Sequence, residues 1–250
     1  MNLINNSNQP LKQYHAWDRS VRIFHWLNFI CVLGLLAIGI VILNNKLLGI
    51  SSDGKILLKT IHVYIGYVFA LNLGWRLVWA FFGNQYSRWK SIIPFTKEHR
   101  ASFKIFFDGE KNNNPAFFLG HNPIARLMVA FLFLLLSTQA ITGLVLAGTD
   151  IYFPPFGQTI AEWIAEDKNK LDEIKPYSKV NVNTESYEAM RDFRKPFITT
   201  HVYVFYTLLG AILLHIIGVA SSELREKSGL ISAMFTGKKV SSKKPVDSEE

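Results

Sequence analysis

Cysteine is almost absent from the chain: Cys31 is the only one in 250 residues, and it lies inside an apolar run. An internal disulfide, a covalent CxxCH attachment and an iron–sulfur cluster held by this chain alone are thereby excluded. Acidic residues are missing from four stretches, residues 22–43, 61–82, 125–148 and 198–220. A proton channel or transporter built on a carboxylate relay at that depth lacks its relay partners. No small-residue cleavage site follows the first stretch, so it reads as retained and not as a removed signal peptide. Internal repeats and low-complexity segments are also lacking.

What is present is apolar and aromatic. Hydrophobic residues make up 49% of the chain and aromatics 14%, and they gather into those same four stretches. Each is about 20 residues, the length needed to cross a ~30 Å hydrocarbon core. The expectation is an all-α membrane protein, a four-transmembrane-helix bundle forming a single domain over residues 1–250. The net charge of +8 invites a nucleic-acid reading, but on a four-span chain charge more often sets topology. Arg19, Arg22, Arg88, Lys90 and Arg126 flank span ends and favour cytoplasmic N- and C-termini.

Between the spans, residues 1–16 carry no pattern. Residues 83–123 read as a long inner loop, with no regular structure expected over 104–118. Asn122 and Pro123 have the chemistry of a helix start, N-cap then first turn. The last outer loop, 150–196, holds two short amphipathic patterns, 158–166 and 184–193, expected as interfacial helices lying on the bilayer surface. Residues 221–250 form a cytoplasmic tail, helical at first and then Lys/Ser/Glu-rich and disordered.

Histidine carries the functional signal. His201 and His215 lie fourteen residues apart in the fourth span. That is just short of four turns, so both rings leave one helix face, separated by ~21 Å. The first span adds His25 near its inner end, the second His62 near its outer end, and the third has none. With the N-terminus inside, spans two and four both run inward. His62 and His201 then share the outer leaflet, and His25 and His215 the inner. Two imidazoles on different helices at one depth suit the axial ligation of haem iron. The competing reading is that each histidine is only a helix–helix hydrogen-bond partner. Four that match in depth by pairs favour ligation. His15, His99 and His121 lie outside the spans, where solvated or capping roles are expected.

Gly66, one turn after His62, leaves room for a flat ligand. Arg76, fourteen residues past His62, is a fixed cation for a haem propionate or a quinone headgroup; the plainer alternative is snorkelling to the inner headgroups. In the third span Ser137, Thr138, Gln139 and Thr142 can bond neighbouring helices or approach a ligand.

Several segments together resemble the bacterial cytochrome b561 and nickel-hydrogenase b-type cytochrome subunits: VRIFHW (Val21–Trp26), IHVYIG (Ile61–Gly66), RLVWAFFGNQYSR (Arg76–Arg88), GHNPIA (Gly120–Ala125), the His201/His215 helix and ELREKSGLISAMFTG (Glu223–Gly237). The resemblance covers nearly the whole chain. It implies haem b, two expected and one possible, with iron bound axially by His25, His62, His201 and His215. It also implies electron transport in the respiratory chain of the bacterial inner membrane, between a redox partner and quinone, by a subunit not catalytic alone. The outer loop before the fourth span is long and charged beside the hydrogenase subunits. A periplasmic c-type cytochrome or another oxidoreductase therefore stands beside a hydrogenase small subunit as the partner. The rival function is a non-redox membrane anchor or assembly subunit.

Overall fold

The computed structural model describes residues 10–248. Four helices are long and apolar enough to cross a membrane: α1 (Arg19–Leu43), α2 (Ser52–Phe82), α5 (Pro123–Ile151) and α7 (Thr184–Glu226). Each starts where a side-chain oxygen satisfies a first-turn amide. Asp18 Oδ1 accepts the Val21 N–H at 2.8 Å, Ser51 Oγ that of Gly54 at 3.1 Å, Asn122 Oδ1 that of Ala125 at 2.8 Å, and Asn183 Oδ1 that of Ser186 at 3.0 Å. Such caps stabilise a helix by about 1 kcal/mol each and set where it begins. Pro123 takes the first position of α5, where its missing N–H costs nothing. Large apolar side chains such as Leu71, Phe82, Leu134 and Leu213 point outward, the face a bilayer covers.

The chain forms two compact units, each containing a segment of all four long helices. The first consists of the chain up to Trp26, Trp75–Phe133 and the chain from Gly210; the second consists of Leu27–Gly74 and Leu134–Leu209.

In the first unit the described part of the C-terminal tail has regular structure, contrary to the expected disorder, and pairs with the segment before α1. Residues 1–9 lie outside the described residues, but Lys12–His15 form a strand, β1, antiparallel to β2 (Lys238–Ser241), with His15 opposite Lys238. Between α7 and β2 lies α8 (Leu230–Thr236). Gly237, at φ 81°, turns the chain from α8 into β2, and its carbonyl accepts the Ala16 and Trp17 N–H groups at 2.8 and 3.1 Å. A Cβ there would stand 2.7 Å from the Trp17 carbonyl oxygen, so only glycine fits. The tail expected to be disordered is pinned by two ions. Lys239, 2% exposed, donates to the Phe118 and Gly120 carbonyls, both at 3.0 Å; Asp247 accepts the Leu119 and Gly120 N–H groups at 2.6 and 2.7 Å. The Lys/Ser/Glu-rich composition suggested a solvated tail because it does not reveal that these charges meet unpaired backbone groups. The inner loop also holds regular structure, α3 (Trp89–Ile92) and α4 (Lys97–Lys111), so the 104–118 expectation is corrected.

In the second unit the last outer loop opens with α6 (Gly157–Ile164). The second pattern, 184–193, is not a separate helix. It is the start of α7, which continues through Pro196, a residue long helices in membranes tolerate. Ile160, Ala161 and Ile164 of α6 bury against Met190 of α7 and Ile174. The two apolar stripes meet each other through these residues in a small core, while Trp163 and Phe193 of the same stripes stay exposed.

Candidate haem sites

His62 on α2 and His201 on α7 face each other in the second unit, with ring centroids 6.4 Å apart. Two glycines lie against the rings at ordinary van der Waals range. A Cβ at Gly39 of α1 would be 3.6 Å from His62 Cε1, and one at Gly143 of α5 would be 3.4 Å from His201 Cε1. An apolar cavity of about 380 Å³ opens here, lined among others by Val32, Leu36, Gly66, Phe69 and Leu136. That is within the range of small-molecule and cofactor sites. At Gly66 no atom lies within 4 Å of an added Cβ, so a flat group can approach the α2 backbone.

Both His201 ring nitrogens have polar neighbours. Thr142 Oγ1, which donates to the Thr138 carbonyl at 2.8 Å, lies 2.9 Å from Nδ1, and the Gln139 side-chain amide lies 3.0 Å from Nε2. In the tautomer with Nδ1 donating to Thr142, the lone pair is on Nε2. An orienting bond on one imidazole nitrogen with an available lone pair on the other is what ligation of iron requires. His62 Nδ1 is buried without a partner. With metal–imidazole bonds of about 2 Å, two rings on opposite sides of an iron have centroids roughly 6 Å apart, close to the observed separation. His62 and His201 are the residues that would hold a haem here, and the Gln139 amide is the group beside the His201 nitrogen that would bind it. Among the described residues no cluster of three or more His, Cys, Asp or Glu is gathered as for a bare ion. A porphyrin, which supplies four nitrogens itself, needs only the two imidazoles.

The mouth of this cavity is charged, which the sequence reading missed. Lys59 and Arg194 both form ion pairs with Asp150, and Lys55 joins them in lining the cavity. These residues fall just outside the apolar stretches and so passed as loop charges. A charge set three residues before His62, in IHVYIG's own helix, was the available signal.

The other two span histidines both belong to the first unit. His25 on α1 and His215 on α7 lie close enough to interact electrostatically, and His25 Nδ1 is buried without a partner. Arg76 of α2 is 4% exposed, so it does not snorkel. Its guanidinium lies 5.9 Å from the Phe24 ring and 5.4 Å from Phe133, and Nη2 donates to the Ser87 carbonyl at 3.1 Å. Nη1 is buried with no partner, a donor left available to an anion or carbonyl. Nearby, Asp18 accepts from Trp79 Nε1 at 3.0 Å and Ser87 Oγ at 2.8 Å. Burial pushes the Asp18 carboxyl upward, but these bonds and those from the Val21 and Asn84 amides hold it below its ordinary range.

His121, expected to be solvated or capping, packs against Trp17 with centroids 4.8 Å apart. Burial, with Lys239, Arg76, His215 and Arg126 adding repulsion, pushes its pKa down to about 3, so it stays neutral. His99 is also buried, 2% exposed, with neither ring nitrogen bonded. His15 takes the end of β1.

Four apolar helices, three of which carry the four imidazoles, form an integral-membrane helical bundle of the b-type cytochrome class. A family model described as prokaryotic cytochrome b561 matches residues 16–237, and the chain belongs to that family. It is a bacterial membrane protein of electron transfer, and haem b is the cofactor its family implies. Among its relatives is a probable Ni/Fe-hydrogenase 1 B-type cytochrome subunit of Escherichia coli (strain K12). That protein is 29% identical over 170 residues, 64% of this chain and 72% of the relative. Probable Ni/Fe-hydrogenase B-type cytochrome subunits of Bradyrhizobium diazoefficiens and Rhizobium leguminosarum bv. viciae are 25% and 24% identical. They align over 90% of this chain in both cases and over 85% and 88% of the relatives.

Proposed function

We propose that this chain is a di-haem b-type cytochrome, one integral-membrane domain that carries electrons between a redox partner and quinone. His62 and His201 hold one haem, and His25 and His215 hold the other. The single observation that supports this most is the His62–His201 pair, two rings 6.4 Å apart at an apolar cavity. Haem b supplies reversible one-electron chemistry when bound. The chain's own residues do the rest. Thr142 orients His201, the apolar walls exclude water, and Arg76 offers a buried positive charge that favours the electron-rich state of a nearby group.

The order of the spans and the basic residues at their ends support cytoplasmic termini in the inner membrane. His62/His201 then lies toward the periplasm and His25/His215 toward the cytoplasm. The names of the relatives support a hydrogenase as the partner, and its small subunit would dock at the periplasmic side. The long outer loop keeps a periplasmic c-type cytochrome as the other candidate. Arg76 is suited either to a propionate of the inner haem or to a quinone headgroup.

A second reading has one observation in its favour. Both His201 nitrogens have protein partners, Gln139 and Thr142, as in a helix–helix polar contact of a non-redox anchor. Reduced-minus-oxidised spectra and a haemochrome assay on the purified chain separate the two. The cytochrome reading expects bis-imidazole spectra and about two haems per chain. A haem-free preparation from haem-sufficient cells would overturn it in favour of the anchor.

A further inference from the structure

The charged mouth of the cavity in the second unit has an imbalance of charge. Lys55, Lys59 and Arg194 contribute three positive charges and Asp150 one negative, and all four line the cavity. Lys59 and Asp150 have side chains only 15% exposed and Arg194 23%. Asp150 spans the group, pairing with Lys59 through one carboxylate oxygen and with Arg194 through the other. Tyr177 lies over both lysine ammonium groups, each 5.5 Å from its ring centroid. Its backbone is held in the left-handed region, φ 63°, a conformation retained by a non-glycine residue only when its surroundings demand it. Arg194 Nε is buried with no partner. A half-buried cluster two positive charges in excess, with an idle guanidinium donor, is costly until anions reach it.

Resting on the haem reading of this cavity, we propose that Lys59 and Arg194, with Lys55 behind them, form the receptor for the two propionate carboxylates of the haem held by His62 and His201. Two carboxylates carry the two negative charges that neutralise the excess. Asp150 is a positioning residue: it holds the ammonium and the guanidinium side by side at the mouth, preset to receive the pair of carboxylates. Arg194 suits a carboxylate through its planar fork, and Lys59 as a point charge. The cluster also fixes which edge of the porphyrin enters first. The apolar edge goes to the depth of the cavity, and the carboxylate edge stays at the charged mouth.

The test is a comparison of protohaem with its dimethyl ester, which has the same ring and iron but no negative charge. The full-length chain, purified in detergent from haem-deficient cells in a His25→Ala background, is titrated with each and followed by its bis-imidazole absorbance. The expected result is protohaem binding roughly tenfold or more tighter than the ester, the scale of one charge-assisted hydrogen bond. Lys59→Gln and Arg194→Gln should each shrink that ratio, and Lys59→Arg should restore it. Equal binding of both haems by the chain with its charged mouth intact overturns the proposal and leaves the haem reading standing. Binding of neither overturns the haem reading itself. An undiminished ratio in both glutamine variants shows that the carboxylates are received elsewhere.

Discussion

The two histidine pairs present the same side chains in contrasting surroundings. In the second unit the rings border a cavity of about 380 Å³, Gly39 and Gly143 lie against them, and the charges stand at the mouth, bound to one another through Asp150. In the first unit the cation is inside: Arg76 is buried between Phe24 and Phe133 with one donor unbonded. That unit is closed by a lid made from both ends of the chain, β1, β2 and α8. Identical side chains therefore do not imply identical sites. On the proposed di-haem reading, charge placement and the surrounding shell would give the two haems different potentials and different exchange behaviour.

The comparison breaks most severely if the pairing is wrong. His62→Ala and His201→Ala should each abolish the same low-temperature α-band and leave the other; His25→Ala should abolish that other one. Loss of different bands from His62→Ala and His201→Ala would refute the assignment.

A smaller effect is expected from opening the lid of the first unit. Lys239→Met leaves the Phe118 and Gly120 carbonyls without a donor, at a cost of about 1–3 kcal/mol. Amide exchange over residues 117–121 and 238–241 should quicken, with no change around His62. The same lysine makes the lid pH-sensitive. Burial pushes its pKa down to about 8, against the pull of the Glu226, Asp247 and Glu223 carboxylates. In the unfolded chain it titrates near ~10.4. Between those values the unfolded state binds the extra proton, so the lid gains stability as pH rises through 8 toward 10 and loses it as pH falls back to 8. Exchange protection, corrected for intrinsic rates, should show that rise in the unaltered chain, and Lys239→Met should flatten it.

Arg76→Gln sharpens the contrast in potential. Removing a buried cation disfavours the reduced state. The band lost in His25→Ala should titrate lower by on the order of tens of millivolts, while the other band stays put. Arg76→Lys, which retains the charge, should recover most of the shift. The mildest change is Gly66→Ala. Its added methyl meets no protein atom within 4 Å, so the fold should be indifferent. Any fall in haem occupancy at the His62 band then reports a group lying against that glycine.

Long apolar runs and a fourteen-residue histidine spacing are local properties, and they were legible. The four spans follow from hydropathy and helix rise, and the N-cap at Asn122 from its side-chain chemistry before Pro123. The connecting segments were not legible in the same way. Residues 158–166 and 184–193 read as two surface helices because each is amphipathic by itself. Only their mutual burial, Ile164 against Met190, makes one of them the start of a 43-residue helix. The tail read as solvated because lysine and serine are abundant there.

What the sequence by itself determined is the class, a four-span membrane bundle, since span length follows from helix rise and bilayer thickness. Tertiary structure alone decided where the charges find their partners. Lys239 finds the carbonyls of residues 118 and 120, Asp150 bridges Lys59 and Arg194, and Arg76 turns inward between two phenyl rings. The physical reason is that a charge has no intrinsic address along the chain. Its place depends on which unpaired groups, often a hundred residues away, the folding of the backbone brings within hydrogen-bond reach.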